Sequence, residues 1–379
     1  MKFTIDKSEA KRVLDLVSKC VPQRAVLPIL QTVLITVEED GSAKFCATNL
    51  ETYVTAFVKV QTEIPGSCCI DSMLTSLISN FDDGDVKFTE GKGRVTVTQK
   101  NRKHQIGCMP AEEFPVGREL TGYQKLDVQE FIRAVSVASV AASTDTSRPV
   151  LQGCSMDSKK GFVAGADGYR LAKYDAVFPG DSVIIPARAI SGFILNELKS
   201  VQEEVEAVFG QWSGICCSKW SVVLNSIEGN FPDVTPFISD AQNEESALEI
   251  DVDKVELRRK LNICGLYLAR SGVPFVKLTR KGSSLYLSVH APDVGDVREN
   301  FSDYTCVGDD FSIWFNPNYL LAAIGTVNSD MVHMKFVSSA KPFFITDANV
   351  PAMLHVLMPG SGSGQSKDTD DMEEEEGDF

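Results

Sequence analysis

A proline-centred segment occurs in three variants in this chain of 379 residues and divides it into three comparable parts. The copies are Arg24-Ala25-Val26-Leu27-Pro28-Ile29-Leu30-Gln31, Arg148-Pro149-Val150-Leu151-Gln152 and Arg270-Ser271-Gly272-Val273-Pro274-Phe275-Val276-Lys277. Their prolines stand 121 and 125 residues apart, each after a helical pattern and before β-type alternation. The stretches downstream of the prolines repeat too. Ala47-Thr48-Asn49-Leu50-Glu51 begins 19 residues after Pro28, Ala166-Asp167-Gly168-Tyr169-Arg170 begins 17 after Pro149, and Val289-His290-Ala291 ends 17 after Pro274. The copies close alike, on Glu112-Glu113-Phe114-Pro115, Glu228-Gly229-Asn230-Phe231-Pro232 and Leu357-Met358-Pro359. Agreement in order and spacing points to one supersecondary unit used three times.

Each unit is itself doubled. Apolar stripes at helical spacing predict helices starting near residues 6, 71, 127, 186, 251 and 316. Asp6 or Ser8 can cap the first, and Pro186 and Asn316-Pro317 suit first helical turns. Strands are expected between them, including 33–37, 44–47, 53–60, 86–89 and 94–98, with turns at Glu39-Asp40-Gly41 and Glu90-Gly91-Lys92-Gly93. An amphipathic helix must bury its stripe against a sheet, so the expected class is α+β, with two helices per unit packed on antiparallel sheets. The expected divisions are 1–122, 123–245, 246–360 and a tail at 361–379. Asp240 to Ser246 reads as a polar linker.

Ten cysteines include the adjacent pairs Cys68-Cys69 and Cys216-Cys217 but no Cys-x-x-Cys, and a chain of this length needs no disulfide framework. The histidines His104, His290, His333 and His355 are scattered without metal-ligand spacing, so neither metal nor cofactor is expected from spacing. Gly91-Lys92-Gly93 and Asp167-Gly168 complete no phosphate loop and no acid–base constellation is evident; an enzyme is not expected. No apolar run approaches a bilayer span and Met1 to Asp6 lacks a signal-peptide core, so a cytoplasmic protein is expected. The net charge of −15 is uneven: the tail holds eight acidic residues and one lysine. Its Gly-Ser start and acidic end read as a flexible segment: a solvating tail, an auto-inhibitory or partner peptide, or an expression fusion.

Leu27-Pro28-Ile29-Leu30, Ala47-Thr48-Asn49-Leu50-Glu51, Pro110-Ala111-Glu112-Glu113-Phe114-Pro115, Arg148-Pro149-Val150-Leu151, Ala166-Asp167-Gly168-Tyr169-Arg170-Leu171-Ala172, Ile185-Pro186-Ala187-Arg188, Glu228-Gly229-Asn230-Phe231-Pro232-Asp233 and Val356-Leu357-Met358-Pro359 together resemble the bacterial sliding clamp, the beta subunit of DNA polymerase III. The resemblance runs in order from residue 1 to about 359. It implies the DNA-clamp fold, three domains per chain, and a head-to-tail homodimer forming a ring around double-stranded DNA, with helices lining the hole. The function implied is a processivity factor; a clamp-fold platform for transcription or repair is the alternative.

Two sites follow from the resemblance. Arg24 stands where such clamps touch DNA and Arg148 less directly so, and basic faces on the first and fifth helices add Lys11, Arg12, Lys254 and Arg258, with Arg259 and Lys260 beside them. A partner-peptide pocket falls on Ala166, Gly168, Tyr169, Arg170, Leu171, Pro232, Val337, Ser339, Val356, Leu357, Met358 and Pro359. It would receive Gln-Leu-x-Leu-Phe-like motifs of DNA polymerase and clamp-loader subunits, and of repair polymerases, mismatch-repair proteins and ligase. Tyr169 replaces a usual histidine, Ala166 a threonine, and Pro236-Phe237 replace Arg-Val-like residues. After Met358-Pro359 the family normally ends within three residues with a basic residue and leucine, whereas this chain runs on into Gly360-Ser361-Gly362. These departures point to a divergent clamp, such as a phage or mobile element carries, or to a C-terminus replaced by engineering.

Overall fold

The computed structural model describes residues 1–360 apart from 273 and 293, so the acidic tail lies outside the described residues. The helices are α1 (Lys7–Ser18), α2 (Met73–Ser79), α3 (Val128–Ser139), α4 (187–200), α5 (Thr235–Asn243), α6 (Lys254–Ser271) and α7 (Pro317–Ile324). Six of them begin within three residues of the expected positions. Their ends have local causes. Asp6 Oδ1 accepts from the Ser8 amide at 2.8 Å, Asp253 Oδ1 from Glu256 at 2.7 Å and Asn316 Oδ1 from Asn318 at 2.9 Å, each occupying an otherwise unpaired donor. Gly272, at φ +71°, ends α6 in the left-handed conformation that glycine adopts without steric cost. The middle of α4, Ile190–Ile194, is a π turn that keeps Ile190, Phe193 and Ile194 buried.

Helix α5 was not expected. Its turns occupy part of the segment 240–246 that reads as linker. Asp233 Oδ1 accepts from the Thr235 amide at 3.1 Å and hydroxyl at 2.7 Å, and Val234 and Ile238 pack into an apolar cluster. Capping and burial override the polar composition. The proline segments also differ: Pro28–Gln31 and Pro149–Gln152 are 3-10 turns leading into strands, whereas in the third copy α6 extends through Arg270 and Ser271.

The chain forms two bodies, one of residues 1–129 with 178–228 and the other of 130–177 with 229 onward. In the first, thirteen strands make one continuous antiparallel sheet. Strand Thr52–Lys59 pairs with Trp220–Asn225, Val54 facing Val222. Strand Arg102–Pro110 pairs first with Arg94–Gln99 and then, from Cys108, with Gly66–Asp71, so it passes from one partner to another midway. Phe3 stacks on Phe88 with centroids 4.6 Å apart, and Leu14, Ile35, Phe45, Leu74 and Ile78 complete a dry core.

In the second body, strand Arg170–Asp175 pairs with Met353–Leu357, and that sheet continues through Phe343–Thr346, Met331–Phe336, Leu248–Asp253 and Tyr304–Gly308. Strands Val276–Lys281, Ser284–Ala291, Gly295–Asn300 and Phe311–Phe315 form a separate four-stranded sheet. Phe336 and Phe343 stack 5.0 Å apart beside Phe315. Backbone pairing thus attaches strands 153–175 of the middle repeat to the third repeat and strands 206–225 to the first. The threefold repeat and the hydrogen-bonded bodies are different divisions of one chain.

Candidate functional site

Strands Phe162–Ala166 and Arg170–Asp175 are joined by a tight turn that orients the candidate residues. Asp167 Oδ1 accepts from the amides of Tyr169 and Arg170 at 2.9 and 3.0 Å, and Gly168 takes φ +94°. Side chains alternate beyond the turn. Ala166 and Leu171 pair, Leu171 faces Val356 across the sheet, and all three join Leu151, Phe162, Ala164, Val234, Phe344 and Leu354 in a buried cluster. Val150, Phe231, Ile238 and Val337 pack on its margin.

The rim of this cluster is open. Tyr169 is 65% exposed, Phe237 42% and Met358 39%, and Pro232 and Ser339 are also exposed. The Met358 amide donates to the Tyr169 carbonyl at 2.8 Å, so the ladder continues one step past strand Met353–Leu357. Pro359 is half-buried. The result is a dry apolar floor edged by large exposed apolar side chains.

Arg170 and Leu357 do not share that floor. They pair with each other on the opposite face, because neighbouring residues of a strand point to opposite sides. Leu357 is buried there, and the Arg170 guanidinium lies 4.4 Å over the Tyr319 ring while its Nε donates to Asp167 at 2.9 Å. The expected groove therefore resolves into an apolar face and a charged one. Arg148, Asp145, Asp167, Gly168, Tyr169, Arg170 and Tyr319 line a cleft beside the turn. Arg148, expected to meet DNA, stands among groove residues, its Nη1 3.4 Å from where a side chain on Gly168 would begin.

The expected basic faces are largely engaged within the chain. Lys11 pairs with Asp15, and Arg12 binds Glu9 Oε2 at 2.8 and 3.0 Å and the Phe57 carbonyl at 3.2 Å. Lys254 Nζ donates to the Val327 carbonyl at 3.1 Å. Lys260 is buried between Glu256 and Glu299, 3.4 Å from each, so it faces inward rather than along a basic surface. Spacing on a helix cannot distinguish a cation facing solvent from one with a carboxylate three or four residues away. Arg24, Arg258 and Arg259 are exposed and have no ion pair among the described residues.

Sequence reasoning passed over the floor residues Leu151, Phe162 and Phe344, and the α5 contacts Val234 and Ile238. The one available signal was the four-residue spacing of Val234 and Ile238 after a capping aspartate. Tyr319 carried none, since its partner Arg170 is distant in sequence.

Comparison with known proteins adds to this geometry. Residues 1–118 match the sequence profile of the DNA polymerase III beta subunit, N-terminal domain, and residues 242–361 match that of its C-terminal domain; together they span more than half of the chain. The beta sliding clamp of Chlamydia muridarum is 28% identical over 374 residues, covering 95% of this chain and 98% of its own. That of Streptococcus pneumoniae is 25% identical over 366 residues, covering 92% and 95%. The crystal structure of the Bacillus subtilis DNA polymerase sliding clamp superposes with a TM-score of 0.87 at 23% identity, over 95% of this chain and 99% of that one. A Caulobacter crescentus beta sliding clamp gives 0.86 at 24% identity, with the same coverage. These likenesses establish the clamp fold.

Proposed function

The chain belongs to the DNA polymerase III beta subunit family, and from that premise we propose that it is a DNA sliding clamp, a processivity factor whose apolar groove tethers a polymerase to duplex DNA. The observation that carries the tethering role is the dry floor of Leu171, Val356 and Val337 with its exposed rim of Tyr169, Phe237 and Met358. Exposed aromatic and methionine side chains beside a buried apolar cluster suit short apolar peptide anchors. Burying two such anchors yields roughly 3–6 kcal/mol gross. Micromolar affinity takes about 8 kcal/mol net, so the two anchors alone bind weakly enough for partners to exchange and tighter binding needs further contacts along the peptide. The cleft geometry favours assigning Arg148 to the peptide rather than to DNA.

In this reading the chain has three domains, 1–122, 123–245 and 246–360, and closes head to tail with a second copy. A heterologous contact makes a ring when its rotation closes. DNA is then held topologically, with low-affinity contacts from Arg24, Arg258 and Arg259, and the protein acts as a tether rather than a catalyst. The test combines light scattering over a wide dilution range with anisotropy of a labelled Gln-Leu-x-Leu-Phe peptide. A mass near twice 41.4 kDa and peptide binding weakened by Met358→Ala are expected. A monomer at every concentration refutes the ring, and peptide affinity unchanged in the variant refutes the groove.

A further inference from the structure

Folding brings together three side chains whose sequence spacing carries no metal signature. Cys68 lies on strand Gly66–Asp71, Glu90 on Asp85–Gly91 and Cys108 on Arg102–Pro110. Their sulfur and carboxylate atoms all lie within 4.8 Å of one another. The placement follows from strand register. Cys68 faces Pro110 and Ile70 faces Cys108, so the two thiols are diagonal neighbours on one face of the pair. They sit where strand Arg102–Pro110 leaves its pairing with Arg94–Gln99 and takes up Gly66–Asp71. Cys68 is 1% exposed, while Cys108 and Glu90 are half-buried and leave a way in.

We infer that Cys68, Cys108 and Glu90 form a site for a thiophilic divalent cation, Zn²⁺ by the chemistry of the donors. Two thiolates and a carboxylate are a zinc donor set, with water in the fourth tetrahedral position. A Zn–S length of about 2.3 Å sets tetrahedral sulfurs about 3.8 Å apart, so closing the site needs a shift of no more than about 1 Å. Burial, and then the charge of Glu90, raises the affinity of both thiols for protons, so without a cation they are neutral. Binding replaces two S–H bonds by two metal–sulfur bonds and releases two protons to solvent. The resulting site carries one net negative charge, and the Met1 ammonium, 3.0 Å from Glu90 Oε2, offsets it. The bound ion fixes the corner where one strand serves two partners. This site is independent of the groove and of the clamp reading.

The test is anaerobic titration of the reduced full chain with Co²⁺ as the spectroscopic stand-in, followed by displacement with Zn²⁺. One equivalent giving thiolate-to-cobalt charge-transfer and tetrahedral bands, with two protons released on binding, is expected. Cys108→Ser and Glu90→Gln, both at half-buried positions, should weaken binding by about tenfold or more while circular dichroism is unchanged. Cys69→Ser should leave it intact, because Cys69 points instead into the cluster of Ile29, Leu30 and Phe114. No saturable cobalt spectrum, or a spectrum indifferent to Cys108→Ser and Glu90→Gln, overturns the site. Equal loss on Cys69→Ser also overturns it.

Discussion

Acidification from pH 7 to pH 5 should loosen the second body through His355. This imidazole lies on strand Met353–Leu357, beside Val356 of the groove floor but on the opposite face, with Nε2 2.8 Å from Thr326 Oγ1. Burial, and secondarily the Arg170 charge, lowers its pKa from 6.5 to about 3. The unfolded chain therefore binds the proton first. Stability from the neutral buried ring is full above pH 6.5 and is lost as pH falls toward 3. At pH 5 the unfolded imidazole is already protonated and the folded one is not, a gap of about 1.5 pH units or about 2 kcal/mol. Urea unfolding at both pH values, for the natural chain and for His355→Gln, isolates this group from every other titration. The natural chain should lose about 2 kcal/mol more than the variant between the two pH values. Amide exchange across residues 353–357 should rise in parallel once corrected for intrinsic rates. Equal pH dependence in the two proteins refutes the argument.

Replacing the exposed Met358 with Ala should weaken a Gln-Leu-x-Leu-Phe peptide about tenfold in an anisotropy titration, with an unchanged urea midpoint. Leu171→Ala should instead cost about 2–5 kcal/mol of stability by denaturation, because that side chain belongs to the buried floor. Gly165→Ala would place a Cβ 2.1 Å from the Ala138 carbonyl oxygen of α3, and differential scanning calorimetry should show a loss of at least about 3 kcal/mol. Asp253→Ala removes the cap of α6 and should cost about 1 kcal/mol, read from the urea midpoint.

Much of the architecture was legible because it rests on local rules. Asp6, Pro186 and Asn316-Pro317 mark helix starts by chemistry confined to a few residues, and the apolar stripes needed only the helical period. Strand Arg102–Pro110 was not legible: its polar first half alternates poorly, and its two partners are fixed by pairing with residues far back in the chain. The groove shows the same boundary. Ala166, Leu171 and Val356 were placed together by resemblance and are together, yet Leu357 was grouped with Val356 although a strand must send them to opposite faces. The end of helix α5 was read as linker because the polar residues from Asp240 outweighed the short signal of Asp233, Val234 and Ile238.

The engaged state of most helical cations bears on how a clamp could move along DNA. If Lys11, Arg12 and Lys254 stay with Asp15, Glu9 and the Val327 carbonyl, phosphate contact falls mainly to Arg24, Arg258 and Arg259. Three arginines per chain give six in a closed dimer, and neutralising six phosphates gives a log–log salt slope of about −5. A device held topologically needs no more, and a steeper slope would mean tight contacts that oppose sliding. Arg24→Ala removes two of the six, so the slope should fall in magnitude to about −4 while peptide binding stays intact. Lys11→Ala should change the slope little, since its charge is already matched by Asp15. The measurement is duplex binding by fluorescence anisotropy across a series of salt concentrations. A slope unaffected by Arg24→Ala but clearly reduced by Lys11→Ala would mean that the helix pairs open on DNA and that α1, not the Arg24 loop, carries the contact.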